Sequence, residues 1–191
     1  MRAGTQAALL ACAGVSKKTL YRLIPNKADL FKTSVSDRID RFMHALDNET
    51  VASLDVAAAL ERLLTEYGNL TLSVETIAIQ KLVIAEADRF PELAASFYAD
   101  AILATQALLT DYLARQRALG VIDIDDPHAA AGMLRGMMIM EPQRAATIGK
   151  AALPSAEEIA ERARVCVRLF LRGCQRDGAG AGTAAKAAAN A

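Results

Sequence analysis

Residues Ala13-Gly14-Val15-Ser16-Lys17-Lys18-Thr19-Leu20-Tyr21-Arg22, then Pro25-Asn26-Lys27-Ala28-Asp29-Leu30-Phe31, constrain this 191-residue chain more than any other stretch. Gly14 can take the positive φ that ends a helix without steric cost. Val15 is apolar and can plug a corner between two helices. Ser16 is a good N-cap, because its hydroxyl can accept from a free amide one turn on. The helix it opens, Lys17 to Leu23, stops before Pro25, which disfavours helical geometry at Ile24. Asn26 caps the next helix, and Asp29 sets negative charge near that helix's positive end. The pattern predicts the turn and second helix of a helix-turn-helix, then the start of a longer helix.

The short helix has two faces. Leu20 and Ile24 pack inward with Leu23. Lys17, Lys18, Thr19, Tyr21 and Arg22 point elsewhere. Cations and hydroxyls of this kind can meet phosphates, and Thr or Arg can reach base edges in a groove. A solvated, charged surface helix is the plainer alternative. The Gly-Val-Ser turn and the Pro-Asn-Lys stop on either side favour DNA.

The two segments, from about Leu9 to Phe31, resemble the DNA-binding signature of TetR-family transcriptional regulators. The resemblance implies an all-α fold, with a helix-turn-helix head on a helical body that binds ligand and dimerises. It implies that Ser16, Lys17, Lys18, Thr19, Tyr21 and Arg22 belong to the recognition element, with Thr19 and Tyr21 touching DNA. Lys27 would contact a phosphate at the next helix's N-terminus. Leu23 and Ile24 stand where such heads commonly carry an aromatic pair. Heads of this type also have a further helix upstream, and only Met1 to Gly4 precede the helix that opens at Thr5. Either the true start lies upstream, or the head is truncated with an open apolar face.

Charge is unevenly spread although it sums to zero. The first 41 residues hold eight Lys and Arg against three Asp, a net of +5, which leaves −5 for the rest. A basic head on an acidic body fits DNA for one part and a different partner for the other. The chain is 53% hydrophobic, with no Trp and five Pro, which favours helices. No unbroken apolar run reaches the length of a membrane span, and no secretory leader pattern opens the chain. Cys12, Cys166 and Cys174 form no CxxC, so neither zinc nor a disulfide framework is suggested. The chain reads as reduced and cytoplasmic.

Helical periodicity organises the remainder. Phe31, Val35, Ile39, Phe42 and Leu46 form a stripe on a helix running to about Asp47, which joins head to body. A helix from Leu54 to about Leu70 turns Val56, Leu60, Leu63, Leu64 and Tyr67 inward. Val74 to Phe90 is apolar nearly all round, so Gln80 and Glu86 stand out. Each either meets solvent or a structural partner, or contacts a ligand in an apolar pocket.

Pro91 to Leu119 reads as one long helix with Gly120 at C′. Asp126 then caps a helix with Pro127 at N1. His128 has no second ligand at metal spacing and reads as a surface residue. Ala130, Met133, Met137 and Met140 make the next stripe, with Gly132 and Gly136 one turn apart. Met133 and Met137 could line a pocket or a subunit seam, or be ordinary core. Pro142 should kink or break this helix. Ser155-Ala156-Glu157-Glu158 has capping-box spacing. The last helix carries Ile159, Ala163, Cys166, Val167, Phe170, Leu171 and Cys174 on one stripe.

The predicted organisation is a head with its linker helix over 1–47, a ligand-binding and dimerisation body over 48–177, and a Gly/Ala-rich disordered tail over 178–191. The candidate pocket residues are Gln80, Glu86, Met133 and Met137. The candidate dimer seam is Gly132, Gly136, Val167, Phe170 and Leu171, unless that last stripe covers the subunit's own core. No phosphate loop, nucleophile elbow, cofactor motif or metal motif is present, so catalysis is not expected. The expected protein is a ligand-responsive repressor, homodimeric on a palindromic double-stranded operator and answering to a small-molecule effector. The alternatives are a dimeric small-molecule-binding or redox-sensing protein with an inactive head, and a helical protein–protein adaptor.

Overall fold

The computed structural model describes residues 35–40, 42–43 and 54–174. All regular structure among them is helical. The first helix among the described residues, α1, is seen at 35–40 and 42–43. It is followed by α2 (Val56–Thr71), α3 (Val74–Glu86) and α4 (Pro91–Phe97). A π-helical turn (Tyr98–Leu103) runs directly into α5 (Ala104–Ala118). The described residues end in α6 (Pro127–Thr147) and α7 (Ala156–Gly173). The helix-turn-helix stretch, Cys12 and the 178–191 tail lie outside the described residues.

Local chemistry sets the boundaries. The Asp55 carboxylate accepts from the Ala58 amide, and Ser73 Oγ from the Thr76 amide, so α2 and α3 each open on a side-chain cap. Asp126 accepts from the His128 and Ala129 amides, with Pro127 in the first turn of α6. Ser155 and Glu158 form the reciprocal capping box that their spacing predicts. After α5 the chain reverses at Gly120, whose φ of 73° suits a residue without Cβ.

Three features differ from the sequence reading. The stretch read as one helix from Pro91 contains the π turn, a feature without a periodicity signature of its own. By length and composition, Pro91–Ala118 is also apolar enough to cross a membrane. Its apolarity comes from many Ala residues interrupted by Asp100, so no unbroken run announces it. Here it buries Leu109, Tyr112 and Leu113, and α5 packs along α6. Finally, α6 passes through Pro142 and continues to Thr147.

The main core gathers Leu60, Leu64, Leu72, Leu113, Leu134, Met138 and Val167, all fully buried. Its centre is the packing of α2 along α7. The two helices approach closely at Gly68. A Cβ there would lie 2.6 Å from Met138 Cε and 2.7 Å from Ile159 Cγ2. A smaller cluster forms where α1 meets α3 and α4, with Val35, Ile79 and Val83 buried and Ile39, Leu93 and Phe97 packed against them. Phe42, further along α1, belongs to the main core. α1 is thus anchored to both clusters.

Candidate functional site: a cavity beneath the linker helix

A cavity of about 170 Å³ lies among α1, α2, α3, the π turn and α6. Each wall follows from a feature already described. α1 contributes Val35, Arg38 and Ile39, and α2 contributes Tyr67, Leu70 and Thr71. α3 supplies Thr76, Ile79 and Gln80, and α6 supplies Arg135, Ile139 and Gln143. The π turn contributes Ala101 and Ile102, between Phe97 and Thr105. Such single π turns frequently occur at functional sites, because they re-aim side chains within a continuous helix.

Two arginines dominate its polar character. Arg38 Nη2 donates to Ser73 Oγ at 2.6 Å and to Thr76 Oγ1 at 3.0 Å. Its Nη1 lies 3.8 Å from the half-exposed carboxylate of Glu75. These contacts tie α1 to the α2–α3 corner, where Ser73 also caps α3. Arg135 lies over the Tyr67 ring, 4.9 Å from its centroid. It donates to Gln106 Oε1 at 3.0 Å and to Thr105 Oγ1 at 3.3 Å. Burial raises the Tyr67 hydroxyl above the usual tyrosine range, against the lowering pull of Arg135. Gln106 also meets the His128 ring at 2.9 Å, so His128 is held by an amide on the exposed side of the network.

The structure separates the four candidate pocket residues. Gln80 lines this cavity, where its amide donates to Gln143 Oε1 at 3.4 Å and accepts from Thr147 Oγ1 at 3.4 Å. Glu86 lies at the end of α3, and it and the two methionines are not among the lining residues. Met133 is 69% exposed, while Met137 lies on a different, shallow groove between α6 and α7. α6 buries Ala131, Leu134 and Met138, so its methionine stripe is the outward one. Both stripes have helical spacing, and periodicity cannot say which one is inside.

The candidate seam residues also divide. Val167 is fully buried in the chain's own core, and Phe170 and Leu171 pack against it. This stripe therefore covers the subunit's own core, which was the other outcome left open by the sequence. Nothing lies within 4 Å of a Cβ built on Gly136, and the nearest atom to one on Gly132 is Gln106 Nε2 at 4.0 Å. These two positions are open toward whatever faces α6. Ser16, Lys17, Lys18, Thr19, Tyr21, Arg22 and Lys27 fall outside the described residues. Sequence reasoning missed Arg38, Tyr67, Arg135 and Gln143. Arg38 had been counted with the basic head, and Arg135 sits unmarked inside the methionine-rich run.

Cys166 and Cys174 are buried free thiols, and burial pushes both above the usual thiol range. That is the opposite of what a reactive thiolate needs. Among the described residues, no group of three His, Cys, Asp or Glu could hold a metal ion.

The sequence profile of the AefR-like transcriptional repressor C-terminal domain matches residues 58–174, spanning α2 to α7. The chain belongs to the TetR family of transcriptional regulators. Solved structures carry the same architecture. A protein described as a TetR-family transcriptional regulator from Mesorhizobium loti MAFF303099 superposes with a TM-score of 0.72 at 23% identity, over 88% of this chain and 93% of that one. The flavonoid-responsive regulator FrrA superposes with a TM-score of 0.65 at 28% identity, over 88% of this chain and 85% of that one. No curated protein sequence matches the chain.

Proposed function

We propose that this TetR-family regulator is a ligand-responsive repressor that binds a palindromic operator as a homodimer. The observation that carries the reading is the cavity wall formed by α1. A molecule in that cavity contacts the helix leading to the head, so occupancy and head position can be coupled. The coupling is a difference in ligand affinity between two states of the dimer. Half-sites must sit one turn or a multiple of it apart on one face of the DNA. A small pivot of the two linker helices then withdraws both heads from their grooves. The flavonoid-responsive neighbour is named for a response to a small molecule, which supports a ligand for this cavity as well.

In this reading the head over 1–47 reads the operator through Ser16, Lys17, Lys18, Thr19, Tyr21 and Arg22, with Lys27 on a phosphate. The body extends over 48–177 and no catalysis is assigned to it. The protein works in the cytoplasm. The dimer seam is assigned to the outward face of α6 and its groove with α7. Met133 (69% exposed) and Met140 are exposed apolar residues on α6, Ile148 is one just past its end, and Leu169 is one on α7. Gly132 and Gly136 would let a second copy approach, and two such helix pairs would form a four-helix bundle.

The test is binding of the full chain to DNA fragments flanking its own gene, alongside sedimentation. Specific, salt-sensitive binding by a dimer to a palindromic fragment is expected. A monomer, or binding without preference over unrelated fragments, would overturn the reading.

A further inference from the structure

We propose that the cavity takes a small amphipathic acid: an apolar body of about one ring carrying a single carboxylate, received by Arg38 and Arg135. This rests on the ligand-responsive reading and names its ligand class.

Size comes first. An engineered apolar cavity of about 150 Å³ in another protein binds benzene. At about 170 Å³, this cavity suits a one-ring molecule with a short substituent. Its apolar wall, from Val35, Ile39, Ile79, Phe97, Ile102 and Ile139, suits the body of such a molecule.

Charge decides the rest. Both charged side chains among the described lining residues are arginines, and no Asp or Glu lines the space. Guanidinium groups do not lose their proton in proteins. Among the described residues Arg135 meets neutral partners: Tyr67 by its ring and hydroxyl, the Gln106 amide and the Thr105 hydroxyl. Arg38 has two hydroxyls and the more distant Glu75 carboxylate.

Unpaired donors point the same way. Three buried side-chain polar atoms lack a hydrogen-bond partner among the described residues, and two are the Nε atoms of Arg38 and Arg135. A buried N–H without an acceptor is costly, and more so on a charged group. A carboxylate supplies the missing negative charge and, once a side chain turns its closed-off Nε–H toward the space, the missing acceptor, with oxygens that match the guanidinium fork. A neutral ligand would leave the charge uncompensated, and a cation would be repelled.

3-Phenylpropanoate and its uncharged counterpart 3-phenylpropanamide are the probes. Calorimetry on the full chain should give an affinity for the acid at least about tenfold above that for the amide, the scale of one charge-assisted hydrogen bond. The double variant Arg38→Gln/Arg135→Gln should bind the two alike while circular dichroism stays unchanged. If that variant fails to fold, arginine Nε–H signals of the unaltered protein replace it. The acid should shift two of them, assigned through the single variants, and the amide should not.

Equal binding of acid and amide, no binding of either, or a preference that survives the double substitution would overturn the proposal. Operator release separates it from the reading beneath it. An amide that binds as tightly as the acid and still releases DNA refutes the anion site alone. An acid bound with the expected preference that leaves the operator complex intact refutes the ligand-responsive reading alone.

Discussion

Ser155 and Glu158 show how far single residues can be read. Their spacing predicted a capping box, and the structure contains both halves. The Ser155 amide donates to Glu158 at 2.7 Å, and Ser155 Oγ accepts from the Glu158 amide at 3.2 Å. Accepting from the Ser155 amide, and secondarily from the Ser155 hydroxyl, holds the Glu158 carboxyl below the usual glutamate range. A carboxyl with a depressed folded-state pKa stabilises the fold above its unfolded pKa, and that contribution disappears as pH falls through the folded value. Thermal unfolding of wild type and Glu158→Gln should therefore differ at neutral pH and converge in acid. Ser155→Ala should cost about 1 kcal/mol, read from a denaturant midpoint shift at unchanged slope. A gap between wild type and Glu158→Gln that widened in acid would contradict the capping role. Caps are legible because their chemistry is confined to a few consecutive residues. Arg38 and Arg135 were not legible, because each is defined by partners on other helices: Ser73 and Thr76 for one, Tyr67 and Gln106 for the other.

Helices were easier to place than to orient. The element order from Val56 onward follows the sequence pattern closely, since amphipathic spacing and punctuation at Asp126-Pro127 and Ser155 are strong signals. Orientation fails where a helix is apolar on more than one side. α6 carries Leu134 and Met138 on its inner face, and Met133 and Met140 on its outer face. Only packing tells them apart. α7 presents the reverse case, because its single strong stripe faces inward.

The pair Met133→Glu and Val167→Glu separates the two roles. Val167 is 1% exposed, so a carboxylate there has no partner or solvent and should unfold the body. Met133 is mostly solvent-exposed within one chain, so its carboxylate should leave the helix content unchanged. If α6 forms the seam, the same change sets two like charges against apolar surface and should yield folded monomers with lost operator binding. Circular dichroism with sedimentation distinguishes these outcomes. A Met133→Glu protein that stayed fully dimeric would remove α6 from the seam.

At the scale of the whole molecule, the proposed function asks how a small cavity in the body could govern a head on DNA. The head is read from local chemistry in the sequence alone, whereas the profile match identifies the body independently. The sequence reading sets the join near Asp47, whereas packing already ties α1 to both clusters of the body. The head contacts can be sorted by their physics. Lys27→Ala should weaken binding to every sequence and lower the salt slope by about one unit, since a phosphate cation releases counterions without reading bases. Thr19→Ala should cost about 1–3 kcal/mol at the operator and little elsewhere if it reads a base edge. Titrations at several salt concentrations against cognate and scrambled DNA give both numbers. An unchanged salt slope for Lys27→Ala would remove it from the phosphate contacts.

Arg38 tests the join itself. Its side chain holds α1 against the α2–α3 corner through two hydroxyls, and Val35 and Phe42 bury the same helix in both cores. The two hydrophobic anchors keep α1 docked, so Arg38→Ala should leave folding and dimerisation intact. What it removes is the polar contact that fixes the helix's angle. Two heads must engage successive grooves together, so a looser angle lowers the fraction of dimers with both heads in register, and apparent affinity falls with that fraction. Arg38→Ala should therefore weaken cognate operator binding several-fold in the absence of any ligand, although Arg38 lies in the body's cavity. It should also leave the salt slope nearer wild type than Lys27→Ala does, since no phosphate contact is lost. Fluorescence anisotropy on the operator, with sedimentation as the control for dimerisation, reads both quantities. Wild-type operator affinity in Arg38→Ala would mean that the arginine does not set the position of the heads, and that any signal from the cavity leaves by another route.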